Sequence, residues 1–149
     1  MAMMPGRMSE HIAVVAGLLT DNPFVIVDTE KFTDYVDMQK YEQVMFICMV
    51  GDVNNKTFTL VVYESILGTG TDASLVAWQS LAAETTANDN TEYVCCVRRE
   101  ELSAGYRYLR AGIVSQAGQD GEVSLIGLAL NPIHEPASGS DMTSVTIKQ

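Results

Sequence analysis

Histidine is almost missing from this chain of 149 residues: only His11 and His134 occur, far apart in the sequence. The usual base, proton shuttle and metal ligand is therefore scarce, and the clustered histidines that a cupin-type metal site needs are not there. HExxH, CxxC, P-loop and GxSxG patterns are absent, and Gly68-Thr69-Gly70 lacks the rest of a dinucleotide fingerprint. Glu100 and Glu101 are adjacent and sit beside Arg98 and Arg99. Neighbouring acids on a helical turn diverge, so this quartet reads as a self-paired charge cluster and not as a two-carboxylate hydrolase site. Neither catalysis nor a cofactor or metal is expected.

Cysteine is also scarce. Cys48, Cys95 and Cys96 make an odd set with two adjacent members, which is no disulfide framework. Strand neighbours point to opposite faces, so Cys95 and Cys96 are poorly placed to share a bond or a metal. All three read as buried small hydrophobes in a chain maturing in a reducing cytoplasm. Cations are few: nine Lys and Arg against nineteen Asp and Glu give a net charge of −10. That balance argues against nucleic acid and anionic membrane as partners, since both are held mainly by Lys and Arg. Long apolar runs are missing too. The run Ile12–Leu19 falls far short of the roughly 20 residues that span a bilayer, and it reads as neither signal peptide nor anchor.

What is present is a core's worth of apolar residues, 47% of the chain, arranged in short runs. The length suits one domain. No internal repeat and no interdomain linker is visible. Strands are predicted over Phe24–Asp28, Val44–Val50, Thr57–Glu64, Leu75–Leu81, Glu92–Val97, Tyr106–Ser115 and Glu122–Leu130, separated by Gly-, Asn- and Asp-rich turns. This spacing is the mark of an all-β sandwich or barrel. Val44–Val50 is apolar on both faces, as in a strand covered on both sides by an arm or a neighbouring subunit. Arg98–Ala104 predicts a single helical turn, and Ser80–Ala87 could also be helical.

Three segments are expected: an N-terminal arm over 1–23, a sandwich domain over 24–131 and a C-terminal arm over 132–149. The last is loop-like, with Pro132, Pro136 and Gly139, except for the β-favouring run Thr143–Lys148. That run needs a partner edge on its own sheet or on another subunit. Ile12, Val14, Val15, Leu18 and Leu19 at one end, and Val145 and Ile147 at the other, are interface candidates. Strand alternation sets Tyr106, Tyr108 and Arg110 on one face, with Arg107, Leu109, Ala111 and Ile113 on the other. Arginine beside tyrosine suits a protein interface, although Arg107 or Arg110 could instead satisfy a carboxylate such as Glu64 within the sandwich, with the tyrosine stems packed on the core. Trp78 reads as core or, less simply, as a sugar-stacking platform.

The order of features from Asp37 to Pro136 resembles small structural proteins of tailed-bacteriophage virions. Tyr41-Glu42-Gln43-Val44-Met45-Phe46 runs into a strand ending at Gly51, Phe58-Thr59-Leu60 leads to Glu64-Ser65, and Trp78 follows. Gly105-Tyr106-Arg107-Tyr108-Leu109-Arg110 is the most specific element, followed by Gly127 and Asn131-Pro132. The resemblance implies a capsid cement or decoration protein with a jelly-roll-like sandwich. Such a protein would be made in the host bacterial cytoplasm and bind the major capsid protein on the virion exterior as a dimer or trimer. A carbohydrate- or receptor-binding module and a head–tail or tail component are the alternatives. On this reading, loss of residues 1–20 would weaken capsid binding and leave the melting temperature nearly unchanged.

Overall fold

β-Branched and aromatic residues in period-two alternation build the molecule. The computed structural model describes residues 12–18, 25–26, 30–51, 58–69, 71–81, 91–115, 119–120 and 123–133. Within them run β1 (Ile12–Leu18), β2 (Val25–Ile26), β3 (Glu30–Phe32), β4 (Val36–Asp37), β5 (Tyr41–Val50) and β6 (Phe58–Ser65). They are followed by β7 (Ser74–Leu81), β8 (Thr91–Arg98), a 3-10 turn over Arg99–Glu101, β9 (Tyr108–Ser115), β10 (Gln119–Asp120) and β11 (Val123–Pro132).

The pairing is nested and antiparallel. Ile12 lies opposite Leu130, Ile26 opposite Gln119, Phe32 opposite Gly112, Val36 opposite Leu109, Val44 opposite Val97 and Leu60 opposite Gln79. The two halves of the chain thus form one long ribbon that closes on the turn between β6 and β7. Folded over on itself, the ribbon gives two sheets, β1-β11-β5-β8 and β3-β9-β6-β7, with β4 also on β9. First-with-last pairing wound into two layers, one of four strands and one of five with β3 and β4 in succession along β9, is a jelly-roll sandwich.

One core lies between the layers. The first sheet contributes Val15, Val44, Phe46 and Leu125, and the second contributes Val36, Leu60, Leu109 and Ile113, all essentially inaccessible to solvent. Between β3 and β4 the ladder on β9 continues through a side chain. The Thr33 N–H donates to the Ala111 carbonyl (2.9 Å), and the Ala111 N–H donates to Thr33 Oγ1 (3.1 Å).

A strand falls on each of the seven expected runs, although only Val25 and Ile26 of Phe24–Asp28 are described and β9 begins at Tyr108, and the helical turn appears as the 3-10 turn after β8. The expectation for the N-terminus is corrected over Ile12–Leu18. This run is no arm but a strand of the first sheet, paired with β11 along its length and with a bulge at Val15. Ala13 and Val15 point into the core. Its partner lies more than a hundred residues away in sequence, so the run looks isolated when read locally. Cys96 is a second correction: Cys48 is buried and Cys95 half-buried, but Cys96 is exposed on the opposite face of β8. Of Ser80–Ala87, Ser80 and Leu81 end β7; residues 82–87 and the run Thr143–Lys148 lie outside the described residues. No helix among the described residues is long and apolar enough to cross a membrane.

Candidate protein-interaction site

The outer face of the second sheet carries a cation among aromatic rings. Register explains the grouping: Tyr63 of β6 is directly opposite Arg110 of β9, and Phe32 of β3 is opposite Gly112. A Cβ on Gly112 would collide with the Phe32 ring and lie 2.9 Å from the Lys31 carbonyl oxygen, so glycine is what lets that ring lie against the strand. The Arg110 guanidinium carbon is 3.8 Å from the Phe32 ring centre, 5.0 Å from Tyr35 and 5.8 Å from Tyr63. Edge-on ring contacts join Phe32 to Tyr63 (5.7 Å) and Tyr35 to Tyr108 (6.5 Å). Such cation–π contacts orient the guanidinium without neutralising it.

Arg110 pairs with no carboxylate among the described residues. Its Nε and the Tyr35 hydroxyl are buried atoms without a hydrogen-bond partner among the described residues. Burial pushes the Tyr35 phenol up, against the pull of the Arg110 charge. The nearby Ser65 hydroxyl is held by the Leu67 carbonyl and by Asp72 (2.6 Å).

The turn beside this cluster is tied by hydrogen bonds to Asp72. The Asp72 carboxylate also accepts the Ile66 N–H (2.7 Å) and the Leu67 N–H (3.3 Å), and these bonds, with that from Ser65, hold it below the usual carboxylate range. The braced turn presents Ile66 and Leu67 at 48% and 53% exposure. Gly68 lies against Tyr108, which joins the apolar tip to the aromatic cluster.

The expected ridge is only partly assembled. Tyr108 and Arg110 share the outer face. Arg107 leaves it for Asp37, to which its Nε and Nη2 donate at 2.8 and 2.5 Å. The Arg107 N–H also donates to the Ser65 carbonyl, and its own carbonyl accepts the Met38 N–H, so both backbone groups are fixed. Glu64, considered as the Arg107 partner, is buried and instead accepts the Ser103 N–H (2.8 Å). Tyr106 precedes the strand, in a turn closed by its N–H on the Ser103 carbonyl. On the first sheet, Ile12 and Val14 are half-buried on the outward side, whereas Val15 is 1% exposed and offers no surface. Leu18 is in register with Leu125; Leu19, Val145 and Ile147 lie outside the described residues, as does the Trp78 side chain. Phe32, Tyr35, Tyr63 and Asp37 were not found from the sequence. Gly112 within a β-branched strand was the available signal, since such glycines mark close approach.

No family model and no curated protein matches the chain. Among solved structures it is similar to a chain of the cryo-EM structure of Broad Bean Stain Virus. That match has 9% identity and a TM-score of 0.48 and covers 100% of this chain and 98% of that one. It is also similar to the K3 cleaved adhesin domain of Lys-gingipain from Porphyromonas gingivalis w83, at 18% identity and a TM-score of 0.45. There it covers 67% of this chain and 63% of the other, so the chain spans under two thirds of that domain's length. A structure of infectious bursal disease virus, Gt strain, has 12% identity and a TM-score of 0.39, covering 82% of this chain and 34% of that one.

The chemistry on offer is recognition. Among the described residues no group of three His, Cys, Asp or Glu could hold a metal ion. Among the described residues the Arg110 guanidinium has rings and no carboxylate around it, and it lies beside a hydrogen-bonded apolar turn, an arrangement suited to receive a carboxylate at the centre of a protein contact.

Proposed function

We propose that the protein is a structural component of a tailed-phage virion, a cement or decoration protein that holds neighbouring major capsid protein subunits from the outside. The observation that carries this reading is the Arg110 cluster on the outside of a jelly roll. Jelly rolls serve viral capsids, lectins and cupins, and two histidines in the whole chain do not furnish a cupin site. Sugar stacking needs free ring faces, whereas Arg110 already lies over Phe32. Arginine and tyrosine, by contrast, dominate protein hot spots, and a pre-oriented side chain loses little entropy on docking. The sequence element that most resembles phage structural proteins, Gly105–Arg110, supplies two members of the cluster. Each contact would be modest, and repetition over a symmetric lattice would multiply it. An acidic protein on the capsid exterior avoids the packaged DNA.

Purified protein mixed with expanded capsids that lack it is expected to co-sediment. Arg110→Ala and Tyr108→Ala are expected to weaken that binding about tenfold or more, as hot-spot truncations do, and circular dichroism should show both variants folded. Absence of co-sedimentation by the wild type would overturn the reading. Binding to a glycan array that Trp78→Ala abolishes would favour the carbohydrate-binding alternative.

A further inference from the structure

The first sheet carries a second surface that the capsid reading does not use. On the side facing away from the core, Val94, Ile47 and Ile126 form one row across β8, β5 and β11, and Cys96, Met45 and Leu128 form the next. Val94 and Met49 are 52% and 43% exposed and Cys96 is exposed, while Met45, Ile47, Ile126 and Leu128 are half-buried. Val14 continues the second row onto β1. Charge is confined to the ends. Glu92 and Arg98, both exposed, close the outward side of β8, while Glu42 sits at the start of β5, bonded to Asn131. Soluble proteins rarely leave so broad an apolar face open to water.

We infer that this face packs against the same face of a second copy. The pattern is self-complementary. A two-fold axis between the faces, crossing the strands at the level of Phe46 and Cys95, exchanges the two apolar rows. The same rotation reverses β8 against its mate, setting Glu92 beside the partner's Arg98 and Arg98 beside the partner's Glu92. An isologous contact requires this internal symmetry, and a different partner does not. The Arg98–Glu100 pair within one copy is 3.4 Å long and well exposed, so little opposes re-pairing. Four strands about 4.8 Å apart and eight residues long cover roughly 500 Å² in plan. Two copies then bury about 1,000 Å², the lower bound for a specific interface, so the expected dimer is a weak one.

Sedimentation equilibrium of the full chain tests this between about 1 and 200 µM. The expected result is a rise from 16.2 kDa towards twice that mass, with Cys96 labelling by a maleimide slowing as the dimer fills. Ile47→Glu should remain monomeric while circular dichroism shows it folded. Glu92→Arg and Arg98→Glu should each weaken association about tenfold, and the double exchange should restore it to within about threefold. A wild type that stays monomeric or forms a trimer would overturn the inference, as would single charge variants that associate unchanged or a double exchange that fails to recover. Association appearing only after removal of residues 134–149 would assign the face to that segment and would likewise overturn it.

Discussion

Cys48 points from β5 into the core, where burial pushes its thiol up to about 12. Cys95 is half-buried and also raised, chiefly by burial, while Cys96 on the other face of β8 is exposed. Since the thiolate is the reacting form, dilute native protein at pH 8 is expected to label at Cys96 first and to leave Cys48 intact until unfolding, as peptide mapping after iodoacetamide would read. Asp37 offers a second residue-scale test. The Arg107 hydrogen bonds hold its carboxyl below the ordinary carboxylate value, so at acid pH the unfolded chain binds more protons than the folded one. The stability from this pair is complete above the unfolded carboxylate range and is lost as pH falls through the lowered native pKa. Asp37→Ala is expected to melt about 5 °C lower at neutral pH. Urea titrations should show the gap from wild type shrinking steadily below about pH 4. The alternation that separates Cys95 from Cys96 was legible in the sequence. The Asp37–Arg107 pair was not, because its members come from different strands and only the register brings them together.

At the scale of elements, strands were readable wherever an apolar face ran for several residues. β5 to β9 and β11 have that pattern in sequence, since alternation is what a strand with one buried face requires. β3, β4 and β10 span two or three residues, too short for any periodicity to show. β1 is visible as an apolar run, but its place in the sheet is not. What decides its role is β11, and nothing within Ile12–Leu18 specifies that partner. The candidate site divides in the same way. Tyr108 and Arg110 were found because they are neighbours in sequence, whereas Phe32, Tyr35 and Tyr63 arrive on separate elements. Gly112 links these levels, because the space above it is filled by the Phe32 ring that stacks on Arg110. Gly112→Ala should therefore cost about 2 kcal/mol by overpacking, measured by urea denaturation, and should also lower capsid binding by displacing that ring. A neutral result on both would mean that the ring moves freely.

The ribbon makes the whole molecule depend on its first described strand. Because Ile12 pairs with Leu130 and the turn between β6 and β7 is the apex, the outermost pair joins the most distant parts of the chain, a non-local closure that folds slowly. Once formed, β1 caps one edge of the first sheet, supplies Ala13 and Val15 to the core and covers one side of β11. Removing residues 1–18 strips a buried valine, worth about 1.5–3 kcal/mol, together with several ladder hydrogen bonds at about 1 kcal/mol each. A loss above about 5 kcal/mol rivals the entire stability of an ordinary domain. The chain beginning at residue 19 is therefore expected to melt at least about 10 °C below one beginning at residue 12, or not to fold. The two differ only by β1, so calorimetry isolates its contribution. This reverses the expectation for a detachable arm, under which truncation would leave the melting temperature in place. Equal melting temperatures for the two chains would remove β1 from the core and return Ile12–Leu18 to the surface, where a foreign subunit could take it.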